Sequence, residues 1–249
     1  MKTFKFIRMA LFAVLICTNF CCCTSEDELL NSEGLPLEIK NNTIYYKTSD
    51  GVIIRFDNED VFGGAKIINN IYSTTKGYGR ITFSSEVTAI EKLAFYECEN
   101  LVNIVMPNSI CSIGVSAFCG CSNLKTISLS SNITNLGGMA FYNCYNLEKV
   151  EIPSNVHKTG NYTFHGCKKL LKITIPSNLT NMGGGVFSGC DNLKEIHCKS
   201  KKPPIVNYYD VHPYDSAAPE QCTLYVPKGS LETYKKTPYW NTFKIIIEE

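Results

Sequence analysis

From Val87 onward, apolar residues return in fixed columns every 23 positions. Phe95, Phe118, Phe141, Phe164 and Phe187 form one column, and Leu101, Leu124, Leu147, Leu170 and Leu193 another. Three residues further on stand Ile104, Ile127, Val150, Ile173 and Ile196, and two beyond those Met106, Leu129, Ile152, Ile175 and Cys198. Ile81 and Phe83 occupy these last two columns one period earlier. Upstream of each phenylalanine run two more columns: Val87, Ile110, Ile133, Val156, Leu179, and Ile90, Ile113, Leu136, Thr159, Met182. Only Thr159 interrupts the apolar rule.

A fixed period of this length is the mark of a stacked-repeat architecture. The spacing L-x-x-I-x-I predicts a short strand whose alternate residues face inward. A single 23-residue coil cannot bury its own apolar side chains, whereas stacked coils share a parallel sheet and a continuous core. Pro107, Pro153 and Pro176 follow the strand, where a residue lacking an N–H ends sheet pairing; Ser130 stands in the equivalent place. The A-F-x-x-C segment is expected to be a short helical turn that inserts its ring and sulfur into the core. Gly137–Gly138 and Gly183–Gly185 relax the backbone just before two of these turns. The coil holding Thr159 also replaces the usual alanine with Thr163, and is expected to be the least well packed.

These residues resemble the BspA-like, or Treponema pallidum-type, leucine-rich repeats, whose pattern is roughly I-x-x-x-A-F-x-x-C-x-x-L-x-x-I-x-I-P. The resemblance covers residues 81–198. "IYYKTSDGVIIRF" with "FGGAKIINNIY" is similar to that family's β-rich N-terminal cap, placed at 37–80. "CTLYVPKGSLETYKKTPYWNTFKIIIEE" is similar to its C-terminal cap, strand, helix and strand, within 199–249. The implied fold is a leucine-rich repeat solenoid of six strands, with a parallel sheet on one face and short helical turns on the other. The family implies adhesion or protein binding at a bacterial surface rather than catalysis.

The first residues fit that setting. Lys2, Lys5 and Arg8 precede an apolar run from Met9 to Cys17, the layout of an export signal over 1–22. Phe20, Cys21, Cys22 and Cys23 match a lipoprotein signal, with Cys23 as the acylated residue. Ser25, Glu26, Asp27 and Glu28 follow, resembling the surface-export tag of some Gram-negative lipoproteins. Residues 23–36 are therefore read as an acidic flexible tether, and the protein as lipid-anchored to an outer membrane and exposed at the cell surface. Removal of residues 1–22 takes three of the 24 basic residues and none of the 23 acidic ones, moving the formal charge from +1 to −2. That balance gives no basic face for nucleic acid.

Candidate chemistry is sparse. The ladder Cys98, Cys121, Cys144, Cys167, Cys190 lies in a line, whereas zinc asks for a tetrahedron and a disulfide for Cβ atoms closer than stacked strands give, at about 3.8 Å. Small, readily buried thiols suit packing, and Cys198 shares that role. Cys111 and Cys119 fall outside the core columns, Cys222 lies in the C-terminal cap, and an odd total of nine after Cys23 leaves at least one thiol unpaired. His157, His165, His197 and His212 are scattered, no nucleophile-elbow, metalloprotease or phosphate-loop motif occurs, and Glu151 and Glu195 sit two coils apart. No cofactor, metal or enzymatic activity is expected. "DSA" at Asp215–Ala217 matches a bacterial O-glycosylation signal at Ser216, and N-x-T sequons occur at Asn132, Asn161 and Asn178.

That leaves the surface as the carrier of function. Residues alternating with the core predict an exposed sheet face: Arg80, Thr82, Asn103, Val105, Thr126, Ser128, Lys149, Glu151, Lys172, Thr174, Glu195 and His197. It is polar, mixed in sign and nearly free of aromatics, which suits a protein ligand on a host or neighbouring cell. The alternative is a glycan-binding or accessory subunit of a surface uptake complex. Tyr45, Tyr46, Tyr72, Tyr78, Tyr208 and Tyr209 enrich the caps, where a contact is equally expected.

Overall fold

The computed structural model describes residues 30–56, 60–207 and 222–249. A parallel ladder pairs β5 (Leu101–Val105) with β7 (Thr126–Ser128). A second ladder joins β10 (Lys172–Ile175), β12 (Glu195–Cys198), β14 (Thr223–Val226) and β15 (Ile245–Glu248), all parallel. Between them, the row at 149–152 is held to β7 by one bridge, Thr126 to Lys149. The register is one coil per step, so Ile104 opposes Ile127 and Ile173 opposes Ile196.

The first strands depart from the expected order. Ile81 and Phe83 lie on β3 (Tyr78–Phe83) and are fully buried, as their columns require. Yet β3 does not adjoin β5. Antiparallel β1 (Thr43–Thr48) stands between them, and β2 (Ile67–Ser73) lies outside β3. A strand entering from upstream supplies the same inward alternation, with Ile44 and Tyr46 both wholly buried. The periodicity reports what faces the core, not which strand is the neighbour.

A second parallel sheet runs along the solenoid where the upstream columns lie. It is built from two-residue strands: β4 (Ala89–Ile90), β6 (Ser112–Ile113), β8 (Asn135–Leu136), β9 (Lys158–Thr159), β11 (Asn181–Met182) and β13 (Ile205–Val206). Beside it passes a glycine row, Gly114, Gly137, Gly160 and Gly183, again one per coil. A Cβ at Gly137 would sit 2.6 Å from the Val115 amide nitrogen, inside the preceding coil's backbone. These glycines permit backbone contact as well as bending.

The A-F-x-x-C segments are linked tight turns rather than helices. Alternate amides bond within the coil, as Tyr96 N–H to Leu93 O (3.1 Å) and Cys98 N–H to Phe95 O (3.3 Å). The intervening ones donate to the next coil, as Phe95 N–H to Ala117 O and Glu97 N–H to Cys119 O, both 2.7 Å. This weave needs left-handed residues at two columns: Leu93, Ser116, Met139, Tyr162 and Gly185, then Glu97, Gly120, Asn143, Gly166 and Gly189. Side chains at positive φ are strained, so the tertiary bonds override local preference.

Inside, Phe95, Phe118, Phe141, Phe164 and Phe187 stack nearly parallel, with centroids 5.0, 5.4, 5.3 and 6.3 Å apart. The widest gap adjoins the coil of Thr159 and Thr163. Thr163 is satisfied, donating to Gly160 O at 2.8 Å. Thr159 is 1% exposed, and its hydroxyl has no hydrogen-bond partner. Thr159→Val, which keeps the shape and removes the unpaired hydroxyl, is expected to stabilise the fold by about 1 kcal/mol, measured as a higher denaturation midpoint.

The C-terminal cap closes the stack with α1 (Leu231–Lys236) and a 3-10 turn at Trp240–Thr242. Trp240 is fully buried and donates from Nε1 to Pro204 O at 2.8 Å. Glu248 on β15 caps α1, accepting from the amides of Gly229 (2.9 Å) and Leu231 (3.0 Å).

Candidate functional site

The outer face of the main sheet carries the predicted residues, but it is neither wholly open nor uniform. Ser128, Lys149, Glu151, Lys172 and Thr174 are exposed, and Arg80, Thr82, Val105, Thr126 and Glu195 are half-buried. Asn103 and His197 are buried, contrary to expectation. Because β1 intervenes, Arg80 and Thr82 are set apart from the rest of the row.

Asn103 is covered by a segment read from sequence as tether. Leu30 bridges Pro36, and Leu35 is fully buried against Tyr45, Tyr78 and Val105 on the outer face. Asn31 ties the loop, its Oδ1 accepting from the amides of Glu33 (2.9 Å) and Leu35 (3.0 Å). Asn103 Nδ2 then donates to Glu33 Oε2 (3.2 Å) and Thr126 Oγ1 (2.7 Å). Composition marked residues 23–36 as polar, but one leucine packing on the rings of Tyr45 and Tyr78 docks 30–36. Leu35→Ala is expected to release this segment locally, at a cost of about 2–3 kcal/mol. The readout is loss of hydrogen-exchange protection at the Leu35 amide, with the global unfolding midpoint little changed.

Between the docked segment and the sheet lies a groove of about 320 Å³. Asn31, Ser32, Glu33 and Leu35 form one wall, and Val105, Thr126, Ser128, Lys149 and Glu151 line the sheet side. Lys149 and Glu151 pair at 3.0 Å and are both strongly exposed. The groove thus presents hydroxyls, both signs of charge and an apolar edge. Five of the predicted face residues meet here, and the wall opposite them was missed.

Further along, His197 lies under Tyr225, rings stacked at 4.4 Å. Its Nδ1 contacts Glu249 Oε2 at 2.8 Å and its Nε2 contacts Glu195 Oε2 at 3.1 Å. Lys172 (3.2 Å) and Lys199 (2.6 Å) complete the chain of ion pairs. Hydrogen bonding from His197 and Lys172 lowers the pKa of Glu195, and bonding from Lys199 lowers that of Glu249. A stacked ring enclosed by compensating charges is a fastening between repeats and cap. Glu151 and Glu195 answer to different cations and do not act as a pair.

The thiols are structural. Each inner cysteine donates to a phenylalanine carbonyl of the preceding coil: Cys121 to Phe95 O (3.0 Å), Cys144 to Phe118 O (3.1 Å), Cys167 to Phe141 O (3.4 Å) and Cys190 to Phe164 O (3.1 Å). Cys98, with no such coil before it, is half-buried. Burial raises the Cys98 thiol to about 11 and also pushes Cys121 and Cys144 well up, keeping them protonated donors. All nine described cysteines are free; Cys111 is exposed, Cys119 half-buried and Cys222 buried.

Two sequon asparagines are also fasteners, Asn132 donating to Asn108 O (2.7 Å) and Asn178 to Ser154 O (2.9 Å). Asn161 instead accepts from the Gly184 amide at 3.0 Å. Of the cap tyrosines, Tyr45, Tyr46 and Tyr78 are buried and Tyr72 is half-buried. Aromatics gather instead on the turn row, where Tyr142 stacks on His165 at 4.6 Å and Tyr162 meets it edge-on. Cys23, Tyr208, Tyr209, His212 and Ser216 lie outside the described residues.

Residues 88–209 match the BspA-type leucine-rich repeat region in six copies. Among solved structures, the chain is similar to a T. pallidum leucine-rich repeat protein at 21% identity, covering 67% of this chain and 66% of that one, TM-score 0.46. It is also similar to the pneumococcal vaccine antigen PcpA, at 20% identity over 59% of this chain and 41% of that one, TM-score 0.45. A leucine-rich cell surface protein of Faecalibacterium prausnitzii A2-165 matches at 18% identity over 85% and 54%, TM-score 0.45. The chain thus spans less than two thirds of the length of each. No curated protein matches it.

Proposed function

We propose that this chain, whose residues 88–209 are BspA-type leucine-rich repeats, is a non-catalytic binding protein of the bacterial cell surface. Its ligand is a protein segment on a host or neighbouring cell. The observation that carries this reading is the groove between Asn31–Leu35 and the Thr126, Ser128, Lys149 and Glu151 row. Its hydroxyls and paired opposite charges suit the backbone and mixed side chains of an extended polypeptide. Among the described residues that line it there is no aromatic platform on which a sugar ring would stack.

In this reading Cys23 carries a lipid anchor in the outer membrane. Six residues, 24–29, then separate the anchor from the docked loop, a reach of at most about 25 Å. The repeats would stand close to the membrane rather than on a long stalk. Replacing Cys23 by serine should release the protein from washed membranes, and protease applied to intact cells should cleave the native chain. Full protection on intact cells would count against surface display.

The binding claim is tested with the chain from Thr24 onward, presented to matrix proteins and to a glycan array. Binding to protein that is lost in Lys149→Glu/Glu151→Lys, with the fold retained, is the expected result. Binding to glycans alone would overturn it. That outcome would favour the glycan-binding reading, for which the Tyr142, Tyr162 and His165 cluster is the natural platform.

A further inference from the structure

The last strand of the main sheet has an open edge. β15 pairs with β14 on one side, and among the described residues no strand pairs with the other. Glu249 N–H bonds to Val226 O at 2.9 Å. In a parallel ladder alternate residues point to the same neighbour, so Ile245 and Ile247 direct their backbone groups to β14, and Ile246 and Glu248 direct theirs outward. Meanwhile the side chains of Ile245 and Ile247 stand on the outer face, 52% and 43% exposed. Natural edge strands are shielded by proline, charge or a bulge. The opposite terminal strand, β2, has such a bulge between Ile67 and Asn69, but β15 is a regular run of three isoleucines closed by the single charge of Glu248.

The sequence around β15 is complementary to itself. In an antiparallel pairing of two copies centred on Ile246, the two Ile246 residues exchange their outward N–H and C=O groups. Ile245 then faces Ile247 of the second copy in a non-hydrogen-bonded pair, the arrangement that brings side chains closest. Lys244 faces Glu248 of the second copy, opposite in charge, and symmetry repeats both pairs. Glu248 uses only Oε1 to cap α1, which leaves Oε2 for the incoming ammonium. From this self-complementarity of charge, apolar surface and backbone direction, we infer that β15 is a homodimer interface joining two copies into one continuous sheet across a two-fold axis.

The contact is short, and its expected strength is weak. Among the described residues one continuous core runs from Ile44 to Phe243, so the chain from Thr24 onward is suitable for measurement by sedimentation equilibrium. A concentration-dependent dimer is expected. Ile245→Lys/Ile247→Lys, at positions already exposed, should weaken association at least about tenfold, with circular dichroism unchanged. Ile68→Lys/Ile71→Lys on β2 should leave it intact. A chain that stays monomeric up to about 1 mM, the weak end of specific association, would overturn the inference. So would a dimer that survives the β15 double variant, because its contacts would lie elsewhere.

Discussion

Replacing Gly137 by alanine is expected to cost at least about 3 kcal/mol, the upper range for overpacking a closed site. The glycine row is where successive coils touch through backbone alone. The new methyl group would meet the Gly114 carbonyl group and the Val115 amide, none of which can rotate away. Relief requires parting two coils, and that would loosen the bonds from Gly137 N–H to Ile113 O (2.9 Å) and from Phe118 N–H to Ala140 O (2.8 Å). Its neighbour supplies the control. A Cβ at Gly138 would come no nearer than 3.2 Å to the adjacent coil, at Asn161 O, so Gly138→Ala should cost nearer 1 kcal/mol. Chemical denaturation of both variants decides the matter. Equal midpoints would show that close backbone approach does not explain the row.

Phe141→Ala is expected to cost about 3–5 kcal/mol, as for other buried aromatic truncations. The side chain is fully buried and stacks on both neighbours, Phe118 at 5.4 Å and Phe164 at 5.3 Å. In a solenoid, stability is close to a sum over coils and the interfaces between them. Removing Phe141 damages two interfaces at once. Phe187 stacks on one phenylalanine, Phe164, at 6.3 Å, so Phe187→Ala should be the milder change. Exposed Tyr145 should tolerate alanine to within about 0.5 kcal/mol. Unfolding midpoints in the order Phe141, Phe187, Tyr145 would support a continuous aromatic spine, and a reversed order for the first two would contradict it.

Much of the core could be read from spacing alone because one side chain per coil must occupy each inward position. The phenylalanine and leucine columns are buried throughout, and the inner cysteines of the ladder are free, buried thiols. Their hydrogen bonds to phenylalanine carbonyls could not be read, since a bond spanning 26 residues depends on coil offset. Thr159 was correctly marked as the misfit of its column. The second sheet was present in the sequence as one column, Ile90, Ile113, Leu136, Thr159 and Met182, but strands of two residues leave no alternation to recognise. The glycine row was also visible at its fixed spacing. The sequence reading marked only its members Gly137 and Gly183, as points where the backbone relaxes, and the contact between backbones needed coordinates.

The groove was half legible. Alternation placed Thr126, Ser128, Lys149 and Glu151 on the outer face, and there they stand. Alternation assigns a side chain to a face, but it does not say what else lies on that face. Hence Asn103 and His197 were expected in solvent and are buried, one under residues 30–36 and the other beneath Tyr225.

By itself, then, the sequence determined the repeat, its period, its inward residues and the chemical character of its outer face, because each follows from local spacing multiplied along the chain. The tertiary structure alone decided the insertion of β1, the docking of Leu35, the closure of the His197 cluster and, among the described residues, the open edge of β15. Each of these joins residues whose separation along the chain has no fixed period, so no local pattern could announce it.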